Sequence, residues 1–400
     1  MTTPKPHVAI LGAGPTGLEA ALAAAEAGFP FTVYEAAPQV GGNVRAWGHV
    51  RLFTPWDLNV SPRMRRHLEA AGVAVPQGAD CPTGQELAGR LLAPLAALPA
   101  IAPHLRLGTR VLSIGREGLL KHEEIATAER GRRPFRLLLA DGAGHEWTER
   151  AGIVVDATGT YGNPNRLGDG GIPAPGERAL DGEIRRAIPD FARERAEWAG
   201  KTVLLAGAGH SAQTAARDLA ALAREAPGTR VIWALRSDPG NWGSHDGDPL
   251  PERARLAADA EALAAGASPA VEARRGVAVE ELARPNGKVK VVLRNGDDAE
   301  EVLVDRVLSL TGYVGDHELY RQLQVHECYA TCGPIKLSAA LLGAGGGDCL
   351  AQTGHGVDTL TNPEPGLYIL GSKSYGRNNT FLMRVGWEQV AEVFGALAGA

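Results

Sequence analysis

His7-Val8-Ala9-Ile10-Leu11-Gly12-Ala13-Gly14-Pro15-Thr16-Gly17 opens as a short apolar strand and runs into three glycines at G-x-G-x-x-G spacing. A helical pattern follows from Leu18 to Ala27 and stops at Gly28, a fitting C-terminal cap. A second strand, Phe31 to Tyr34, ends on Glu35. Each part has a physical task in a dinucleotide fingerprint. Gly12 makes the tight turn, Gly14 lets backbone approach a pyrophosphate, and Gly17 lets helix and strand pack closely. The helix N-terminus faces the phosphates, with Pro15 and Thr16 in its first turn, and Glu35 accepts hydrogen bonds from ribose hydroxyls.

The same plan recurs from Lys201. Val203 to Ala206 reads as a strand, followed by Gly207-Ala208-Gly209-His210-Ser211-Ala212 and a helix to about Arg224. Ala212 stands at the third glycine position, which the fingerprint tolerates. The next strand, Arg230 to Leu235, ends on Arg236 rather than an acid. A guanidinium pairs with a ribose 2′-phosphate that a carboxylate would repel, so this site is expected to take NADPH rather than NADH. Each copy then continues alike. Thr109 to Arg116, Phe135 to Ala140 and Glu146 to Glu149 read as a β-meander closing on Ile153 to Gly159. Ala278 to Leu282, Val289 to Arg294 and Glu301 to Val304 form the second, closing on Val307 to Gly312.

The remainder bounds the class. Four hundred residues exceed one ordinary core, and 44% hydrophobic with 22% charged residues is the balance of a globular enzyme. The net charge of −5 gives no reason to expect nucleic acid or an anionic membrane as partner. The apolar start is broken by Gly12, Gly14, Pro15 and Gly17, so it reads as structure rather than as a targeting segment. No uninterrupted apolar run has transmembrane length. Four cysteines, Cys81, Cys328, Cys332 and Cys349, are too few for a disulfide framework and point to a reducing cytoplasm. No metal site is expected, and a homo-oligomer is left open.

The duplicated order resembles the two-dinucleotide-binding-domain flavoproteins, which include class B flavin monooxygenases and thioredoxin reductases. The resemblance implies an α/β fold of two Rossmann-like domains, each with a β-meander. The NADPH domain (165–322) would be inserted into the FAD domain (1–164 and 323–400). It assigns Gly12, Gly14, Pro15, Thr16, Gly17, Glu35, Gly42, Asn43, Trp47, Val111, Thr158, Gly159, Gly371, Ser372 and Thr380 to FAD. Gly207, Gly209, His210, Ser211, Ala212 and Arg236 fall to NADPH. Thr311-Gly312-Tyr313 is similar to the exit motif of the monooxygenase branch. A helix expected from Thr380 to Gly395 would direct its N-terminus at the flavin pyrimidine.

Two departures stand out. Many relatives carry Asp where this chain has Ser372-Lys373, and the linker signature F-x-G-x-x-x-H is missing from Phe191 to Trp198. The disulfide-reductase branches place cysteines just after the Gly-Gly motif or within the NADPH domain, and this chain has none in either place. The resemblance therefore implies an atypical monooxygenase that uses NADPH and O2. It would pass oxygen from a flavin C4a-(hydro)peroxide to a nitrogen or sulfur of a small molecule. The alternative is a flavin reductase, an oxidase, or a reductase using the Cys328/Cys332 pair. Trp56 is a candidate to stack on the flavin, with Asp57 and Asn59 as candidate catalytic groups; the other reading is a Pro-bounded loop in which Asp57 or Asn59 is an N-cap. His355 is read as reaching the site or as solvated, and the basic run Arg130 to Arg136 as a solvated hairpin edge.

Overall fold

The computed structural model describes residues 4–125, 127–237, 242–243, 248–343 and 354–399. It divides into two compact units, Met1–Asn163 with Val314–Ala400, and Pro164–Tyr313. The second is one continuous insertion in the first.

The first unit is built on a five-stranded parallel sheet. Its order is Leu367–Ile369, Ile153–Asp156, Val8–Leu11, Phe31–Tyr34 and Leu105–Arg106. The central strands are largely apolar because both faces are covered. Helices cover the Val8 and Ile10 face, and an antiparallel sheet bearing Ile114, Phe135 and Leu137 covers the Ala9, Leu11 and Val154 face. Val8, Ile10, Val154 and Val155 are fully buried. Each such side chain contributes roughly 1.5–3 kcal/mol through burial. Helix Pro15–Glu26 packs on the C-terminal helix Met383–Gly399. Ser61 joins two further pieces: its hydroxyl caps helix Pro62–Ala70 by accepting from Met64 N at 2.9 Å and donates to buried Glu19 at 2.6 Å. A three-stranded antiparallel meander, Thr109–Arg116, Phe135–Asp141 and Glu146–Ala151, completes the unit.

The second unit repeats this arrangement. Its parallel sheet has the order Val271–Arg275, Arg230–Leu235, Thr202–Ala206, Arg306–Ser309 and Ile184–Arg185. Its meander is Ala278–Ala283, Val289–Asn295 and Asp298–Val304. The correspondence reaches single residues. The first meander strand carries a bulge in both units, at Val111/Ser113 and at Val279/Glu281. The register sets Leu11 beside Asp156 and Ala206 beside Ser309.

Three sequence expectations change on inspection. Residues 314–322 pack in the first unit: Leu319, Tyr320 and Leu323 share a core with Phe135, Leu137 and Ile369. The C-terminal helix begins at Met383 rather than Thr380 and extends to Gly399. Thr380 instead donates its backbone N (3.0 Å) and its hydroxyl (2.8 Å) to Asn378 Oδ1, a turn that holds the chain out of the helix. The basic run is no solvated edge at Arg130. That side chain is fully buried and shares Glu364 with Arg116, its Nη2 lying 2.8 Å from the carboxylate.

Candidate cofactor sites

In the first unit, Gly12 has φ +95°, a left-handed conformation that favours glycine, and a Cβ there would lie 2.7 Å from the Ala157 carbonyl oxygen. Gly17 is equally constrained, since a side chain would run into the carbonyl oxygen of Gly12. Gly14 differs: it caps helix Pro15–Glu26, and a Cβ there would enter open space. A cradle thus opens beside a helix N-terminus whose first backbone N–H groups take no side-chain cap. Glu35 closes one end. Its carboxylate accepts from Ala13 N at 2.8 Å and from Ala37 N at 2.9 Å, and retains lone pairs for a ribose. Gly42 is packed against Ala37 and the Glu35 carboxylate, while Asn43 is exposed on the short helix Gly42–Ala46. The buried indole N–H of Trp47 has no hydrogen-bond partner, and its ring lies 6.2 Å from that of Tyr161.

On the C-terminal side, Thr16 Oγ1 would lie 2.9 Å from a Cβ on Gly371 and from one on Gly386. Both glycines let the helices meet. Thr158 donates its N (3.0 Å) and hydroxyl (2.7 Å) to Asp156 Oδ1, and Gly159 turns at φ +71° near the Ser372 hydroxyl. Val111 is half-buried in its meander strand, paired with Leu139.

Lys373, which the sequence marks only as a departure from relatives with Asp there, proves to be a buried ion-pair partner. Its Nζ lies 2.6 Å from Asp156 Oδ2, with both side chains fully buried, 3.3 Å from Thr158 Oγ1 and 4.9 Å from the Tyr320 ring centre. The signal was present in the chain, an acid ending one strand and a lysine following another. Only the register, Ile369 beside Asp156, brings them together.

The loop after the glycine segment is braced internally. Asn59 is buried, accepting from Thr54 Oγ1 and donating to Thr54 O, each at 2.8 Å. Asp57 accepts from Gly78 N at 2.8 Å, and the buried Trp56 ring lies beneath the Arg90 guanidinium at 5.1 Å. His355 is half-buried, its Nε2 without a partner, in a loop whose neighbours Gly354 and Gly356 donate to Glu388 and Glu392 of the last helix. Burial raises the carboxyl of Glu392 above its usual range, and burial pushes the Tyr375 phenol up to about 12.

The second unit builds the matching cradle. Gly207 has φ +125° and faces the carbonyl of Leu310, the residue matched to Ala157. Gly209 caps helix His210–Glu225 and leaves open space where a side chain would stand. Ala212 is fully buried, whereas Ser211 is exposed and His210 half-buried in the first turn. Trp233 Nε1 donates to Gly207 O at 2.8 Å and fixes the turn from beneath. Arg236 is exposed immediately beyond its strand. Cys328 and Cys332 are free thiols in the first unit, and Cys349 lies outside the described residues. No cluster of potential metal ligands occurs among the described residues, and no described helix is long and apolar enough to cross a membrane.

Comparison with known proteins agrees with this geometry. A family model for pyridine nucleotide-disulphide oxidoreductases matches residues 6–328. The chain belongs to that family. It is an oxidoreductase with FAD and NADP(H) as cofactors. Among solved structures it resembles a bacillithiol disulfide reductase from Bacillus cereus at TM-score 0.72 and 18% identity, covering 99% of each chain. It also resembles T. acidophilum thioredoxin reductase at TM-score 0.60 and 17% identity, over 99% of each chain. An ornithine N-hydroxylase from Kutzneria sp. 744 matches at TM-score 0.61 and 16% identity, again over 99% of each. These likenesses show a shared fold. No curated protein matches by sequence.

Proposed function

We propose that the first unit binds FAD, that the second binds NADPH, and that the enzyme is a monooxygenase acting on a nitrogen or sulfur of a small molecule. The observation that carries the choice is the distribution of thiols. Pro164 to Tyr313 contains no cysteine and none stands just after Gly41-Gly42, so neither cradle has a dithiol to pass electrons to a disulfide substrate. The Thr311-Gly312-Tyr313 exit supports the same reading.

Bound FAD supplies two-electron acceptance from NADPH and, once reduced, reaction with O2. The protein's own part is to bind and orient. The backbone N–H groups at the start of helix Pro15–Glu26 take the pyrophosphate, and Glu35 takes the ribose. Val111, Thr158, Gly159, Ser372 and Thr380 line the rest of the FAD site. In the second unit the start of helix His210–Glu225 takes the NADPH pyrophosphate, and Arg236 takes the 2′-phosphate. The enzyme is proposed to work in the cytoplasm.

The test is stoichiometric. NADPH and O2 consumption are followed with a panel of primary amines and thioethers. An oxygenase consumes NADPH and O2 one to one with product, releasing little H2O2. H2O2 equal to NADPH with every compound would make it an oxidase. NADPH consumption that needs a disulfide instead of O2 would make it a reductase.

A further inference from the structure

Polar groups from three segments gather on one face of the last helix, Met383–Gly399. Glu388 and Glu392 stand four residues apart, so their side chains share that face. The loop around His355 is tied to both. Gly354 N donates to Glu388 Oε2 at 2.9 Å, and Gly356 N donates to Glu392 Oε1 at 3.3 Å. A side chain at Gly354 would run into the Glu392 carboxylate, so loop and helix meet closely. The turn Ser372–Tyr375 docks on the same stretch of helix: Gln389 Oε1 accepts from Gly371 N at 2.8 Å, and Gln389 Nε2 donates to Ser374 Oγ at 3.0 Å.

Among the described residues, three buried acceptor atoms of this cluster have no hydrogen-bond partner: Tyr375 Oη, Glu392 Oε2 and His355 Nε2. Tyr375 is fully buried, which makes its unpaired hydroxyl the most costly of the three. Folded proteins rarely leave such groups unpaired, and several together mark a place where something polar binds. The charges relate them to one another. Burial pushes the Tyr375 phenol up to about 12, and the charges of Glu388 and Glu392 push it the same way. Burial also raises the Glu392 carboxyl; the bond from Gly356 N opposes this, and the Glu388 charge adds to it. Arg384 Nη1 pairs with Glu388 at 2.6 Å, so the balance left on the cluster is negative. The Glu388 side chain is 32% exposed, which opens the cluster to solvent.

We infer that Tyr375, Glu392 and His355 form a binding site for a primary alkylammonium group. An ammonium head carries three N–H donors, and the cluster offers one acceptor for each. These are a phenol oxygen, a carboxylate oxygen, and the Nε2 of a neutral imidazole whose proton is on Nδ1. The positive charge offsets the Glu392 carboxylate, and its charge-assisted bonds are roughly twice as strong as neutral ones. A metal ion does not suit the place, since no group of His, Cys, Asp and Glu among the described residues could hold one. The inference concerns binding alone and is independent of the oxygenase reading.

The experiment titrates the FAD-loaded full chain with n-butylammonium chloride by isothermal titration calorimetry. Tetramethylammonium chloride, which has the charge but no N–H, is the control. n-Butylammonium should bind saturably and tetramethylammonium at least about tenfold more weakly. Y375F should weaken n-butylammonium binding about three- to tenfold and E392Q at least about tenfold, with flavin content and circular dichroism unchanged. A repeat with NADPH and O2 separates the sources of such a ligand. Binding that speeds NADPH consumption marks a substrate, binding that leaves it unchanged marks a separate ligand, and both uphold the site. No saturable binding, tetramethylammonium binding as tightly as n-butylammonium, or both variants binding as the parent does would each overturn the inference.

Discussion

The strand that backs the first phosphate turn ends on Asp156, while the matching strand of the second unit ends on Ser309. Asp156 takes both polar groups of Thr158 and is fully buried, so it needs a cation, and Lys373 provides one at 2.6 Å. Ser309 makes only a neutral contact with Thr311, hydroxyl to hydroxyl at 3.4 Å. The sheets explain the difference. In the first, Leu367–Ile369 lies beside Ile153–Asp156 and delivers the lysine; in the second, Ile184–Arg185 occupies that edge. One plan, used twice, therefore carries a buried ion pair where the C-terminal segment must be tied to the crossover. A hydroxyl suffices where no such segment arrives.

The comparison breaks most readily at the ion pair. Lys373→Met leaves the buried Asp156 carboxylate without a cation and should cost about 3–5 kcal/mol, read as a fall in Tm. Adding Asp156→Asn should recover part of that loss, whereas Ser309→Ala should cost about 1 kcal/mol. Equal losses at the two positions would mean that the pair is solvated in solution. The third glycine position comes next. Gly17→Ala forces a methyl against the Gly12 carbonyl and should cost about 1–3 kcal/mol together with flavin content. The converse change, Ala212→Gly, should stay within about 1 kcal/mol and leave flavin content unaltered.

Arg236→Ala sharpens the contrast between Glu35 and Arg236. KM for NADPH should rise about tenfold or more while KM for NADH barely moves, the loss of one charge-assisted contact. The smallest effect is expected at His7, half-buried and 3.0 Å from Thr32 Oγ1. Burial lowers its pKa from the usual 6.5, so the folded state binds the proton more weakly than the unfolded state. Its contribution is complete above pH 6.5 and is lost as pH falls below it. His7→Gln should flatten that part of the Tm–pH curve slightly.

Much of this was legible because local rules and the global fold agree. The two glycine turns, both meanders and the closing strands were readable since each glycine and each alternation has a local cause. Pairs made by sheet neighbours distant in sequence were not. Lys373 meets Asp156, and Arg116 and Arg130 meet Glu364, only through strand order and loop return, so a basic run that reads as solvent-facing hides a buried arginine. Trp56, Asp57 and Asn59 illustrate the reverse. Their residue types suit a cofactor contact or an N-capped loop equally well, and their partners Arg90, Gly78 and Thr54 could not be named from the sequence.

The most direct test of the two-cradle account is anaerobic mixing with NADPH while flavin absorbance is followed, comparing the parent with Gly14→Asp and Gly209→Asp. Each variant puts a carboxylate into one open cradle where phosphate would lie. The account predicts a yellow parent bleached by NADPH, a colourless Gly14→Asp protein, and a Gly209→Asp protein that keeps its flavin but is no longer bleached. A colourless parent, or a Gly209→Asp protein reduced as fast as the parent, would contradict it.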